Sequence, residues 1–173
     1  MDEVVLLSPE GEEIGRAPKA AVHGADTPLH LAFSCHLRDE LGRLLVTRRA
    51  LGKRSWPGVW TNSFCGHPAP GEPIEDAVAR HARHELGAEL SELRLEHADF
   101  RYRAVDPAGV VENELCPVFS ARAGSALAPN PTEVMDARWV EPERLAAAVR
   151  AAPWAFSPWL VLQAESLPFL AAR

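Results

Sequence analysis

The sequence predicts an α+β fold of mixed β-sheets flanked by helices. Three observations support this prediction: apolar and polar residues alternate over short stretches, turn-forming residues separate those stretches, and residues 73–86 repeat apolar side chains every four positions. With 173 residues, of which 47% are hydrophobic, the chain is long enough to bury a core. We expect a single domain over residues 1–173.

Two β-hairpins are predicted in the first third of the chain. Alternating apolar residues mark their strands, and turn-forming residues lie between the strands of each pair. The predicted strands cover residues 4–7, 14–17, 31–37 and 43–47, with turns at residues 9–11 and 39–42. Between the hairpins, residues 23–28 contain Gly, Asp and Pro and are expected to form an irregular connection.

The best-defined helix is predicted over residues 73–86. Pro73 with two acidic residues in the first turn, Glu75 and Asp76, suits a helix start, and Gly87 suits the position just after a helix end. The apolar residues that recur four positions apart and define its buried face are Ile74, Val78, Ala82 and Leu86.

A third hairpin and two C-terminal helices complete the predicted elements. The hairpin turn, at residues 106–109, has its Pro and Gly at positions that suit a type I turn. Its strands cover residues 99–105 and 110–119, followed by a loop at 121–132, a strand at 133–140 and helices at 143–151 and 157–167.

The second strand of the third hairpin carries a pair of acidic residues. Because side chains alternate along a strand, Glu112, Glu114 and Cys116 are expected on one face, opposite Val111 and Leu115. Two carboxylates therefore point in the same direction, which is a favourable arrangement for binding one cation.

The overall charge excludes several classes of function. The chain has 18 basic and 24 acidic residues and a formal net charge of -6, which argues against a protein that coats nucleic acid or an anionic membrane. No apolar run approaches the ~20 residues that span a bilayer, and the N-terminus is acidic where a secretory signal would be basic. We expect neither a nucleic-acid nor a membrane partner.

The three cysteines indicate a reducing compartment. Cys35, Cys65 and Cys116 are an odd set without a Cys-x-x-Cys pair, which is not typical of a disulfide-stabilised secreted protein. The sequence therefore predicts a soluble, cytoplasmic protein.

Residues 66–88 resemble the Nudix box, the loop and helix with which that superfamily binds a metal and a diphosphate. The spacing from Gly66 through Glu72 and Arg80 to Glu85 fits the box. The content does not, because the helix pairs are Arg80-His81 and His84-Glu85, which leave one helix carboxylate of the usual three. Since pyrophosphate hydrolysis needs clustered carboxylates to hold Mg²⁺ and activate water, the helix is predicted to retain the diphosphate and metal site without hydrolysis.

Motifs along nearly the whole chain resemble the type I isopentenyl-diphosphate isomerases. These motifs are HLAFSCHL at 30–37, the segment at 42–68, DFRYRA at 99–104, ENELCPVF at 112–119 and PWAFSPW at 153–159. The resemblance implies a Nudix-like fold and the interconversion of isopentenyl and dimethylallyl diphosphate in isoprenoid biosynthesis. A prenyl diphosphate is then the small-molecule partner, and we expect a monomer or a weak homodimer.

The implied reaction moves a double bond in an unactivated alkene. Protonation must come first, and a proton is then removed from the neighbouring methylene, so an acid and a base are needed on opposite faces. The resemblance implies that Cys65 and Glu114 are this pair, with Tyr102 beside Glu114.

The resemblance also implies two divalent cations. One would be Zn²⁺, Mn²⁺ or Mg²⁺ bound by three imidazoles and two carboxylates, which are His23, His30, His67, Glu112 and Glu114. The other, Mg²⁺, would be bound by Glu85 and the backbone carbonyl of Cys65 and would bridge to the diphosphate.

The remaining implied contacts are with the substrate. The family carries basic contacts to the diphosphate at Lys19, Arg49 and Lys53, and Trp159 matches an aromatic residue whose π-face stabilises a developing cation. His81 departs from the family, which often has another basic residue there. A neutral imidazole would weaken the grip on phosphate, although Arg80 or Arg83 could compensate.

Two alternative functions belong to other classes. One is a Nudix pyrophosphohydrolase acting on a nucleotide or prenyl diphosphate, and the other is a catalytically silent diphosphate-binding module. The missing helix carboxylates argue against hydrolysis, and the presence of Cys65, Glu114 and the five implied ligands argues against a silent module.

Overall fold

A computed structural model describes residues 3–123, 126–168 and 170, and these residues form two β-sheets and four α-helices. The strands are β1 Glu3–Leu7, β2 Glu13–Pro18, β3 His30–Leu31, β4 Phe33–Arg38, β5 Leu44–Arg49, β6 Trp60–Thr61, β7 Phe64–Gly66, β8 Leu90–His97, β9 Arg101–Val105, β10 Val111–Leu115, β11 Val118–Ala123 and β12 Val134–Val140. The helices are α1 Lys19–Val22, α2 Ile74–Leu86, α3 Pro142–Ala151 and α4 Pro158–Ser166, with a short 3₁₀ turn at Pro153–Ala155. This architecture confirms the predicted α+β class.

The two sheets are built from strands that are distant in sequence. The first has the strand order β2-β1-β3-β10-β9. The second has the order β12-β5-β4-β11-β8, with β6 added to β5 and β7 added to β4. Both sheets are mixed, because β3 pairs with β10 and β4 pairs with β11 in parallel while the other pairs are antiparallel.

Two chain segments cross together from the first sheet to the second. The predicted strand at 31–37 is broken at Ala32 into β3 and β4, and the predicted strand at 110–119 is broken before Pro117 into β10 and β11. Backbone hydrogen bonds join the segments at the crossing, from Ala32 N to Leu115 O at 2.9 Å and from Ser34 N to Pro117 O at 3.0 Å. Since proline has no N–H, the ladder cannot continue unchanged through Pro117.

The helix predicted over 73–86 is confirmed as α2. Gly87 ends it in the left-handed conformation with φ of 60°, and its backbone N–H bonds to Arg83 O at 3.0 Å. Buried Ala77, Val78 and Ala82 pack in one apolar cluster with Phe33 and Phe64 of the second sheet. The helix therefore lies directly against the segment that contains β7.

Several elements were not predicted. They are the short helix α1, the short strands β6 and β7, and β8, most of whose side chains are exposed. β8 lacks a clear apolar period because it lies at the edge of its sheet, and Glu92 adopts a φ of 52° within it. β11 runs to Ala123, into the predicted loop at 121–132, of which residues 124 and 125 lie outside the described residues.

The C-terminal elements match the prediction closely. β12 and α3 begin within a residue of the expected positions, and α4 begins at Pro158. The Ser157 hydroxyl accepts a hydrogen bond from Leu160 N at 3.4 Å, as expected for a helix cap.

In the part of the chain that the structure describes, we find no helix with both the length and the apolarity needed to cross a membrane.

Candidate active site

Three histidines and Glu114 meet at the first sheet. Parallel pairing places Glu114 of β10 opposite His30 of β3, and His67 follows directly after β7. Glu114 Oε1 lies 3.2 Å from His67 Nε2 and 3.5 Å from His30 Nε2, and the two imidazole nitrogens are 3.2 Å apart. With His23, these residues form a group in which one ligand atom from each lies within 4.8 Å of all the others.

Glu112 lies outside this four-residue group but contacts it through His23. Glu112 Oε2 is 2.9 Å from His23 Nε2, although the two atoms are not aligned for a hydrogen bond. The other carboxylate oxygen accepts a hydrogen bond from the Ser55 hydroxyl. The structure thus brings all five predicted ligands together, and Ser55 is an additional partner that the sequence did not reveal.

The donor set suits a divalent cation. His30 Nδ1 donates to Pro28 O at 2.9 Å, so a neutral His30 directs the lone pair of its Nε2 into the cluster. Buried His23 Nε2, His67 Nδ1 and Glu112 Oε2 have no hydrogen-bond partner among the described residues. Since unpaired buried polar atoms are costly, a cation at this point would satisfy His23 Nε2 and Glu112 Oε2, which otherwise remain unpaired.

The carboxylate of Glu114 dominates the electrostatics of the cluster. Burial opposes its charge, but hydrogen bonds and charge interactions with His30 and His67 outweigh burial and hold its pKa well below the usual range. Burial lowers the pKa of His67 to about 4 despite its contact with Glu114. Burial also opposes the charge of His30, but Glu114 outweighs it and raises the His30 pKa.

Tyr102 joins Glu114 from the neighbouring strand. The two residues are direct cross-strand partners in β9 and β10, and the Tyr102 hydroxyl donates to Glu114 Oε2 at 2.8 Å. Burial and then the Glu114 charge raise the pKa of Tyr102 well above its normal value. The phenol therefore carries its proton at neutral pH and presents it to the carboxylate.

Cys65 lies in the middle of β7, held between two polar side chains. Its Sγ is 3.4 Å from Ser34 Oγ and donates to Asn62 Oδ1 at 3.3 Å. Burial raises the pKa of Cys65 to about 11, although its hydrogen bonds with Ser34 and Asn62 act in the opposite direction. Cys65 packs against the apolar cluster that contains Tyr102 and Trp159.

The basic residues predicted to bind diphosphate interact with one another and with Glu85. Burial lowers the pKa of Lys53, and charge interactions with Glu85, Arg49 and Lys19 act on it as well. Lys53 Nζ forms an ion pair with Glu133, a residue that the sequence did not single out. Diphosphate binding would compete with this ion pair for Lys53.

His81 lies beside Glu85 on α2. Its Nδ1 is 3.1 Å from Glu85 Oε1, and its Nε2 is buried without a hydrogen-bond partner among the described residues. The ring packs so closely on Gly66 that a Cβ there would lie 2.6 Å from three ring atoms. Gly66 is therefore required for this contact, and the imidazole lies against the residue that follows Cys65.

Both arginines that could compensate for His81 contact other residues. Arg80 donates to Glu72 Oε1 at 2.8 Å and to His67 O at 3.2 Å, and thereby ties the helix to the preceding loop. Arg83 lies 3.5 Å from Glu89, which follows the helix end in sequence.

Trp159 and Arg49 form one wall of the region around Cys65. Trp159 Nε1 donates to Asn62 Oδ1 at 2.9 Å, and the guanidinium of Arg49 lies 5.2 Å from the Trp159 ring centroid. Arg49 also donates to Ser55 O at 2.8 Å. The Tyr102 ring is tilted against the same tryptophan, with ring centroids 5.6 Å apart.

Comparisons with known proteins give a family, a function name and a fold. The NUDIX domain family matches residues 28–160. An "Isopentenyl-diphosphate Delta-isomerase" of Agromyces mediolanus is 67% identical over 167 residues, which cover 96% of this chain and 81% of that protein. A protein of the same name from Clavibacter michiganensis subsp. michiganensis is 64% identical over 167 residues, covering 96% and 84%. The crystal structure of DR0079 from Deinococcus radiodurans shares the fold, with a TM-score of 0.67, 24% identity and coverage of 87% and 90%.

Proposed function

Because the chain belongs to the isopentenyl-diphosphate Delta-isomerase family of NUDIX-domain proteins, we propose that it interconverts isopentenyl and dimethylallyl diphosphate. The observation that carries the proposal is the environment of Glu114, whose carboxylate contacts His30 and His67 on one side and the Tyr102 hydroxyl on the other. A carboxylate held in this way is suited to exchange a proton with a substrate in a buried site.

In the proposed mechanism the alkene lies between Cys65 and Glu114. One group adds a proton to the terminal carbon, a tertiary cationic centre develops, and the other group removes a proton from the neighbouring methylene. Because the reaction is reversible, the two groups exchange roles in the opposite direction. The closeness of Cys65 to the apolar cluster of Tyr102 and Trp159 supports a site that excludes water, which would otherwise trap the cation as an alcohol.

Two divalent cations are part of the proposal. His23, His30, His67, Glu112 and Glu114 would hold one ion, and Glu85 with the Cys65 carbonyl would hold a second, Mg²⁺. When bound, these ions supply positive charge that stabilises the buried Glu114 carboxylate and the diphosphate. Lys19, Arg49 and Lys53 would contact the diphosphate, and the buried Trp159 ring would face the developing cation.

The residues on α2 argue against a hydrolase. Hydrolytic water activation needs several carboxylates around Mg²⁺, whereas α2 offers Glu85 bonded to His81. His84, at the neighbouring position, lies 3.6 Å from Glu133 and adds no carboxylate of its own.

We expect the purified protein to form dimethylallyl diphosphate from isopentenyl diphosphate in D₂O with Mg²⁺ and Mn²⁺ or Zn²⁺ present. NMR spectra should show the allylic product and deuterium at exchanged carbon positions. Inorganic phosphate is measured in the same samples. Release of phosphate without isomerisation would support the hydrolase instead, and binding of the substrate without either reaction would support a silent module.

Ser55 provides a test of the cation proposal that does not depend on turnover. Its hydroxyl holds Glu112, so Ser55→Ala should weaken Zn²⁺ or Mn²⁺ binding by about 10- to 100-fold, the range seen when a partner of a metal ligand is removed. Titration of metal-stripped protein measures this affinity. Ser8→Ala, which alters a hydroxyl in the β1–β2 turn, is the control and should bind the ion normally. Equal affinities in the two variants would contradict the role of Glu112.

A further inference from the structure

We propose that Ser34 and Gln163 are positioning residues that direct a hydrogen-bond donor at the sulfur of Cys65, and that His36 sets the orientation of Gln163. The inference rests on the proposed function, because it concerns the state of Cys65 during proton transfer. It concerns three residues on β4 and α4 to which the mechanism has assigned no role.

The buried side chains of His36, Gln163 and Ser34 form one continuous series of contacts that ends at the partly buried Cys65. His36 Nε2 lies 2.9 Å from Gln163 Oε1, and Gln163 Nε2 lies 2.9 Å from Ser34 Oγ. Ser34 Oγ is in turn 3.4 Å from Cys65 Sγ. Ser34 and Gln163 are 0% exposed and His36 is 1% exposed, so water does not compete for the contacts among these three residues.

The donor and acceptor groups determine the direction of each hydrogen bond in this series. An amide oxygen only accepts, so His36 Nε2 must donate to Gln163 Oε1. The amide nitrogen of Gln163 then donates to Ser34 Oγ, which leaves the single Ser34 hydrogen free for a sulfur. Burial lowers the pKa of His36 to about 4, so at neutral pH the ring carries one N–H, at Nε2.

The direction continues beyond the sulfur. As a thiol, Cys65 donates to Asn62 Oδ1, which also accepts from Thr61 Oγ1 at 2.8 Å and from Trp159 Nε1. The sulfur therefore accepts from Ser34 and donates toward Asn62. When Cys65 has passed its proton to the substrate, Ser34 still donates to the anionic sulfur, and a hydrogen bond to a charged atom is stronger than one to a neutral atom.

Ser34 has a second sulfur neighbour. Cys116 Sγ also lies 3.4 Å from Ser34 Oγ, so the hydroxyl can turn to either cysteine. Of the two cysteines, only Cys65 changes its charge in the proposed reaction. The Ser34 hydrogen should favour Cys65 when that sulfur is anionic, and Cys116 should be dispensable for turnover.

The sharpest test is Gln163→Glu, which keeps the shape of the side chain but replaces the amide donor by an acceptor. A carboxylate at this position accepts the Ser34 hydrogen and withdraws it from the sulfur. We expect kcat to fall about 10- to 100-fold, the loss of one hydrogen bond to a charged group, with KM nearly unchanged because the bond strengthens only during the reaction. Ser34→Ala should lower kcat to the same extent.

Control variants separate this role from packing. Gln163→Met has a similar volume and no donor, so it should also lower kcat, whereas Cys116→Ala should retain the wild-type kcat. Thermal unfolding of each variant shows whether it is folded under assay conditions, and Ser34→Ala carries the test if Gln163→Glu is not.

The outcomes distinguish the proposed roles of Ser34 and Gln163 from the proposed function of the protein. If Ser34→Ala and Gln163→Glu keep the wild-type kcat while Cys65→Ala is inactive, the proposed roles of Ser34 and Gln163 are wrong, but the proposed function is not contradicted. If Cys65→Ala is active as well, the role of Cys65 itself is wrong. If Gln163→Met loses activity and Gln163→Glu keeps it, the amide points the other way and the proposed direction is overturned.

Discussion

Replacing Glu114 with glutamine should lower kcat by at least ~10²-fold, the lower range for loss of a general acid or base. The carboxylate contacts His30, His67 and Tyr102, so its loss removes both the proton-exchanging group and one candidate ligand of the cation. We therefore expect two separate losses in Glu114→Gln, one in steady-state turnover and one in Zn²⁺ or Mn²⁺ affinity measured on metal-stripped protein.

A second variant, Tyr102→Phe, separates the loss of turnover from the loss of cation binding. Tyr102→Phe removes the hydroxyl that donates to Glu114 and leaves the carboxylate in place, so turnover should fall while the cation remains bound. Glu96→Gln is the matched control, because Glu96 lies in β8, accepts a hydrogen bond from Ser120 and is not one of the proposed cation ligands. Normal turnover in Glu114→Gln would remove this residue from the mechanism, whatever its effect on the metal.

Cys65→Ala should also slow turnover by at least ~10²-fold, because it removes the second acid/base group. Alanine leaves β7 and its pairing with β4 intact, since these depend on the backbone. Rates of dimethylallyl diphosphate formation and of deuterium uptake from D₂O measure the loss. Both rates should fall together, because neither proton transfer can complete the reaction alone.

The other cysteines provide internal controls for this prediction. Cys35 and Cys116 are fully buried in the apolar clusters and have no proposed contact with substrate. Cys35→Ala should retain turnover once its effect on stability is taken into account. Activity close to wild type in Cys65→Ala, with both other cysteines present, would exclude the sulfur as acid or base.

Local signals were sufficient for the isolated elements of the fold. The apolar spacing of α2, with Pro73 before it and Gly87 after it, is contained within a short stretch, and the helix was predicted almost to the residue. The predicted Nudix-like fold is likewise confirmed by the NUDIX match and by the DR0079 structure. The breaks at Ala32 and Pro117 were not predicted, because they depend on how two distant segments pair.

The same distinction holds in the candidate site. The alternation that places Glu112 and Glu114 on one face is a local property of β10, whereas the three histidines were assigned by resemblance. Ser34 and Gln163, which are 129 positions apart, gave no signal. A buried serine or glutamine acquires its role only from the partner that the fold brings to it.

Because β3–β4 and β10–β11 cross between the sheets as a pair, these strands carry site residues that are separate from those on α2. Glu114 and Ser34 lie on the crossing strands, whereas Glu85 and His81 lie on α2. Under the proposed function, substitutions on α2 would alter the side that faces the diphosphate, while the strands that carry Glu114 and Ser34 keep their pairing with β3 and β11. The proposed Mg²⁺ contact at Glu85 and the proposed proton-exchanging group at Glu114 therefore lie on separate elements of the fold.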